Sequence, residues 1–157
     1  IAKLNKSMNQ HLEKLDWRPD IILTSYHGLP RRYLDLGDPY HCHCHKTTRL
    51  LKEVNKKYSE KIILSFQSRF GREEWLKPYT EETVIKLAND GVKKLAVLSP
   101  AFFSDCVETL EELNIGIQEV FTENGGEKFT LIPCLNDSQN GIDLLDYLIK
   151  NELQGWV

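Results

Sequence analysis

At 157 residues, with 41% hydrophobic and 27% charged side chains, the chain is long enough for one domain with a sizeable core and has the balance of a globular fold. A net charge of −3 offers none of the clustered Lys and Arg that phosphate binding demands, so no nucleic-acid partner is expected. No apolar run approaches the roughly 20 residues that span a bilayer, no signal peptide is recognisable, and the four cysteines include no CxxC pair, so a reduced, cytoplasmic setting is expected.

Ile1, Leu4, Met8, Leu12 and Leu15 recur at intervals of three and four, one face of a helix. Because Ile1 already lies inside this pattern, the chain reads as a fragment of a longer protein. Residues 21–24, a β-branched apolar run, predict the first strand, and residues 27–44 an irregular segment before a helix over 45–57. A second strand is predicted at 62–65, then a long loop over 67–79. A helix over 80–89 follows, with Thr80 as N-cap and Gly91 just past its end. Residues 95–98 predict the third strand. The third crossover helix starts at Ser104 or Asp105 and runs toward Asn124, with Asn114 to Gly116 as a candidate break. A fourth strand at 129–132 and a helix over 141–153 complete the pattern. Strands with such continuous apolar runs are covered on both faces. The alternation therefore predicts an α/β fold, a four-stranded parallel sheet with helices on both faces. Ligands bind beyond the carboxyl ends of such strands, so the loops over 27–44, 67–79 and 100–105 should form one crevice wall.

His27, just after the first strand and before the Gly28–Pro30 bend, places an imidazole at that crevice, suited to accept a proton or bind a metal; an ordinary turn histidine is the alternative. Asp105, Glu108 and Glu112 share one helical face in the same region. Judged on spacing alone, capping of the helix N-terminus outweighs a carboxylate ladder for a cation or protons. Residues 67–79 carry Trp75 to stack on a flat ring and Arg69 or Arg72 to meet carboxylates, or else pack back on their own domain. His41-Cys42-His43-Cys44-His45 is too crowded for a zinc pattern, while Cys42, Cys44, Cys106 and Cys134 leave an iron–sulfur cluster open.

Taken together these segments resemble ferrochelatase. Ser25-Tyr26-His27-Gly28-Leu29-Pro30 resembles the family's motif around its essential histidine, and Gly37-Asp38-Pro39-Tyr40 the stretch that follows. Phe66-Gln67-Ser68 with Trp75-Leu76-Lys77-Pro78 resembles the central glutamine-serine loop. Residues 102–110 resemble the acidic-helix signature, and Pro133-Cys134-Leu135-Asn136 a segment near the end. The resemblance spans nearly the whole chain and implies one chelatase-like half, residues 1–157, of a two-domain enzyme whose N-terminal domain lies outside it. It implies insertion of Fe2+ into protoporphyrin IX to form haem, the last step of haem biosynthesis, with release of two protons; coproporphyrin stays open as the substrate. By the same resemblance His27 and Glu108 are the catalytic pair and contact the metal, and Asp105 and Glu112 lie on a proton or metal path. Ser68 contacts a propionate, and Trp75 and Phe102 line the porphyrin cleft. Cys106 stands where some relatives carry histidine. Ferrous iron enters as substrate, no organic cofactor is expected, a [2Fe–2S] cluster is left open, and so is peripheral contact with a membrane. A cobalt or sirohydrochlorin chelatase, and a non-catalytic iron or iron–sulfur binding module, are the competing readings.

Overall fold

A computed structural model describes residues 1–156. Strands β1 (Ile21–His27), β2 (Ile62–Gln67), β3 (Lys94–Leu98) and β4 (Lys128–Ile132) form one parallel sheet in the order β2-β1-β3-β4. Ile22 pairs with Ile62 and with Ala96, and Ala96 in turn with Thr130. The expected architecture is present: helix α1 (Ala2–Leu12) precedes β1, and helical segments follow every strand. After β1 come α2 (Arg31–Asp35) and α3 (Tyr40–Val54), and after β2 comes α4 (Thr80–Asn89). After β3 a π-helix (Glu108–Ile117) runs into α5 (Gln118–Glu123), and α6 (Gln139–Glu152) follows β4.

Alternation along each strand gives the sheet two buried faces. Ile22, Ile62, Ala96 and Leu98 pack against Met8 and Leu12 of α1 and Leu51 of α3. Leu23, Leu95 and Val97 face the other way, onto Val84 of α4, Leu113 and Ile117 of the π-helix, and Phe121 of α5. Each of these large side chains contributes about 1.5–3 kcal/mol by leaving water, which is why the two-faced strands are the least polar segments of the sequence.

Several element ends differ from expectation, each for a local reason. β1 and β2 run on through Ser25-Tyr26-His27 and Phe66-Gln67, because the polar members of these extensions find buried partners. α3 begins five residues earlier than expected: Pro39 precedes it, and the Asp38 carboxylate accepts from the Tyr40 N–H at 2.8 Å. It ends at Val54, where Asn55 donates to the side chains of Asn5 and Asn9 and accepts from the Tyr58 N–H. Thr80 is the first residue of α4 rather than its N-cap. Its hydroxyl turns inward to Ser25 (2.8 Å) and Ser65 (2.8 Å). At the far end of α4 Gly91 sits at φ +93, the left-handed stop that the sequence indicates. The third crossover is wound as a π-helix from Glu108, not as an α-helix from residue 104 or 105, and it is unbroken at Asn114–Gly116. α6 starts at Gln139, capped by the Ser138 hydroxyl accepting from the Gly141 N–H. Among the described residues no helix is long and apolar enough to cross a membrane.

The Thr80 hydroxyl is buried between two serines. Thr80→Val should therefore lower the unfolding free energy by about 1–3 kcal/mol in urea titrations, since it strands a buried donor. Thr80→Ser should stay near the parent; equal losses in both variants would show that the methyl group, not the hydroxyl, matters.

Candidate active site at the carboxyl edge of the sheet

β1 leads to β2 on one side and β3 leads to β4 on the other, so the chain's connections diverge between β1 and β3. This divergence opens a crevice at the carboxyl edge, the place where open α/β sheets take ligands. His27 is the last residue of β1. Thr24 and Tyr26 bond to Thr48 of α3, whereas Ser25 bonds to Thr80 of α4. By the same alternation His27 falls on the face that carries the π-helix, and with it Glu108 and Glu112.

His27 Nδ1 lies 2.7 Å from the Gly28 carbonyl oxygen. A carbonyl only accepts, so Nδ1 carries a proton, and Nε2 is the nitrogen turned away from this bond. Phe102 stands nearly edge-on to the ring at 6.2 Å and Trp75 is tilted against it at 6.4 Å. The Tyr40 hydroxyl donates to the His27 carbonyl at 2.9 Å, which pins the strand end from the α3 side. The Gly28 N–H donates to the Gln67 carbonyl at 2.8 Å, and a Cβ at Gly28 would stand 2.8 Å from that oxygen and 3.1 Å from the Trp75 ring. Only glycine allows this approach.

Gln67, buried at the end of β2, holds the pieces together. Its Nε2 donates to the Glu108 carbonyl at 2.9 Å, and its Oε1 accepts from Ser25 Oγ at 2.8 Å and Ser99 Oγ at 3.4 Å. The first turn of the π-helix is thereby tied to β1, β2 and the β3 end. Glu108 is the first residue of that helix. A hydrogen bond from Cys106, then its own backbone N–H, then the charge of His27 hold its carboxyl below the ordinary glutamate pKa. Glu112 points to the β2 loop, where its two oxygens accept from Ser68 N and Ser68 Oγ, both at 2.6 Å. Ser68 needs that clamp: its φ of 64° is a left-handed conformation that side chains other than glycine rarely adopt.

The structure thus brings His27, Glu108, Phe102 and Trp75 to one crevice and places Glu112 and Ser68 beside it as a bonded pair. Asp105 is set apart. Its carboxylate accepts from Asn136 Nδ2 at 2.6 Å, Thr109 Oγ1 at 3.2 Å and the Cys134 N–H at 3.2 Å, stitching the β3 loop to the β4 loop. Burial pushes its carboxyl up, but these bonds outweigh it and leave the pKa below the ordinary value. The capping box suggested by Asp105 and Glu108 does not form, because the π-helix starts without a side-chain cap. Arg69 lies over Tyr79 at 4.5 Å and 3.7 Å from Glu82. The Trp75 indole N–H is buried without a partner, a rare state for a native donor. Sequence reasoning missed the structural parts played by Gln67, Ser25, Ser99, Tyr40 and Cys106. The available signal was polar residues continuing an apolar strand run.

The cysteines are dispersed: Cys44 is buried under α3, Cys42 is exposed on it, and Cys106 and Cys134 lie in the β3 and β4 loops. Burial pushes the Cys44 thiol up to about 11 and, with the neighbouring Asp105 charge, the Cys134 thiol up to about 12. Thiolates are what a cluster needs, and among the described residues no three of His, Cys, Asp or Glu are grouped to hold a metal. These residues do not fit a cluster. An apolar cleft of about 770 Å3 adjoins the site, lined by Leu4, Leu98, Phe102, Leu135 and Tyr147. A cleft of about 640 Å3 beside Trp17, Lys57 and Lys94 lies at the opposite, amino edge, away from these groups.

The model of the ferrochelatase family matches residues 1–153. A ferrochelatase of Agrobacterium fabrum is 54% identical over all 157 residues, and one of Allorhizobium ampelinum is 55% identical over the same length. The chain spans about half of these relatives, 46% of each. A solved structure assigned to cobalamin (vitamin B12) biosynthesis, the CbiX protein of Marinobacter aquaeolei, shares the fold with a TM-score of 0.58 at 16% identity, covering 87% of this chain and 98% of that one.

Asp105→Asn should lower stability at neutral pH by about 1–3 kcal/mol, the range for lost bonds to a charged group. The folded-state pKa of Asp105 is depressed, so its contribution is present above the ordinary carboxylate value and lost as pH falls through the folded one. Between about pH 5 and 2, urea midpoints of the parent should therefore approach those of the variant. A constant gap across that range would contradict the assignment.

Proposed function

The chain belongs to the ferrochelatase family, and from that premise we propose that it is the C-terminal half of an enzyme that inserts Fe2+ into a porphyrin to form haem, with release of two protons. The observation that supports this best is His27 at the divergence between β1 and β3, fixed through Nδ1 by the Gly28 carbonyl, with Glu108 near enough for the His27 charge to lower its carboxyl pKa. Insertion requires two pyrrole protons to leave, water to be stripped from Fe2+, and the macrocycle to bend until nitrogen lone pairs meet the ion. His27 Nε2 takes a pyrrole proton or holds the iron, and becomes imidazolium when it takes the proton. The Glu108 carboxylate then stabilises that cation and supplies an oxygen ligand for Fe2+, which enters as substrate. Trp75 and Phe102 flank His27 with aromatic faces and edges against which a flat ring packs. The apolar cleft continuing from Phe102 takes the ring's hydrocarbon edge.

Glu112, bonded to Ser68, is proposed as a further group along a path for protons or metal. Ser68 also stands where a propionate contact is proposed. Asp105 is proposed to serve that path indirectly, by fixing the loop before Glu108. The partner is the other half of the same protein. The exposed apolar side chains Leu145, Leu148 and Ile149 of α6 are a face of the kind that another domain covers. Unpaired, buried thiols at Cys44 and Cys134 suit a reducing cytoplasm.

In the complete protein, His27→Ala and Glu108→Gln should each lower the rate of metal insertion by about 10²–10⁴-fold, while porphyrin binding, followed by fluorescence quenching, is retained. Near-normal turnover in both variants rejects the proposal. Residues 1–157 alone should show little insertion, because they supply one wall of the cleft. Full-rate insertion by this chain would remove the need for a second half.

A further inference from the structure

The N-terminal turns of α3 carry a second arrangement of imidazoles that the proposed reaction does not use. His41 and His45 are four residues apart on the helix, and their rings lie 4.4 Å apart between centroids, tilted by 48°. The His41 ring stacks on Phe66 of the sheet edge at 5.7 Å with an angle of 18°, and His45 leans on the same phenyl ring at 6.3 Å. Two imidazoles at this helical spacing share one face, and stacking on a buried phenyl removes rotamer freedom before any ligand arrives. His43 is placed differently: two residues from His41 is roughly 200° around an α-helix. His41 is half-buried and His45 exposed, so the open side of the pair faces solvent. Besides His45, the charge that acts on His41 is that of Arg31, whose guanidinium is engaged by Asp35 at 3.0 Å.

The geometry points to His41 and His45 as a two-imidazole site for a borderline divalent transition ion of the zinc, cobalt or nickel class, separate from the His27–Glu108 crevice. Neutral imidazole nitrogens are the donors these ions prefer. With no third His, Cys, Asp or Glu grouped there among the described residues, the remaining positions belong to water. That gives an exchangeable site rather than a structural one. Burial against Phe66, followed by the neighbouring His45 and Arg31 charges, keeps the His41 pKa below the ordinary histidine value, which favours the metal-binding form at neutral pH.

The test is calorimetric titration of the full-length protein with Zn2+ at neutral pH, in a His27→Ala background so that the crevice does not contribute. His41→Gln, His45→Gln and the double variant should each bind one Zn2+ fewer than the background, the double losing no more than either single, because a chelate fails when either arm is removed. His43→Gln should bind as the background does. Retention of the full stoichiometry and affinity in either single variant overturns the site. So does additive loss of two ions in the double variant, or an equal loss in His43→Gln. Since His45 is exposed, a fall in Zn2+ binding by His45→Gln with an unchanged circular dichroism spectrum separates chelation from misfolding.

Discussion

The side-chain amide of Gln67 ties together the end of β2, the end of β1, the exit of β3 and the first turn of the π-helix. Its orientation is fixed by its partners. The Glu108 carbonyl only accepts, so the amide nitrogen points there and the amide oxygen points to the serines. That choice propagates. Ser25 must give its one proton to Gln67 Oε1, so it accepts from Thr80, and Thr80 accepts from Ser65. Four buried polar side chains thus form a directed series from the sheet interior to the backbone of Glu108. In a low-dielectric interior such a series rigidifies the structure only when every member is satisfied. Here each one is, and Ser99 adds a further donor while bonding to the Ser25 carbonyl at 2.9 Å.

This anchoring explains how a π-helix can start at a site that requires accurate placement. The winding is rarer and less regular than an α-helix, and the segment has no side-chain cap at its N-terminus. Its first carbonyl is instead held from the sheet by Gln67. One turn later Glu112 holds the β2 loop through Ser68. The left-handed conformation at Ser68 is of a kind that costs about 1–3 kcal/mol, and two short charge-assisted bonds from one carboxylate offset it. The two glutamates are therefore held differently: Glu112 by its carboxylate, with one bond to each oxygen from Ser68, and Glu108 by its backbone carbonyl, which accepts from Gln67.

Much of the fold was legible because each strand must bury both faces, and residues 62–64 and 95–98 declare this by hydrophobicity alone. What was not legible are the places where polar side chains satisfy one another in the interior. Ser25, Ser65, Gln67 and Thr80 read as strand ends, loop and cap, because periodicity registers polarity but not a partner 15 to 55 residues away. Asp105 shows the same limit from the other side: its spacing to Glu108 and Glu112 suggests a common face, but the donors that orient it, Asn136 and the Cys134 N–H, lie some thirty residues further on. His27 and Glu108 were placed at one crevice by topology and spacing, while their roles came from the family resemblance; the β2-β1-β3-β4 order and the strand alternation behind that placement are features that composition does not reveal.

The asymmetry between the polar and the apolar parts of the crevice bears on what a second half of the proposed enzyme would contribute. On this side the polar groups are already fixed: His27 by the Gly28 carbonyl, its strand end by Tyr40, and the Glu108 backbone by Gln67. Preorganised groups of this kind do not need a partner domain to set their geometry. The apolar surface differs, because the cleft beside Phe102 opens between α1, the β3 loop and α6. The outer face of α6 also leaves Leu145, Leu148 and Ile149 to solvent. A flat hydrophobic ring held on one face only would remain half in water and gain half the available transfer free energy. In the proposed enzyme a second half would therefore serve chiefly for burial, closing the apolar wall and excluding water, since the polar groups on this side, proposed to accept protons and contact metal, are already fixed.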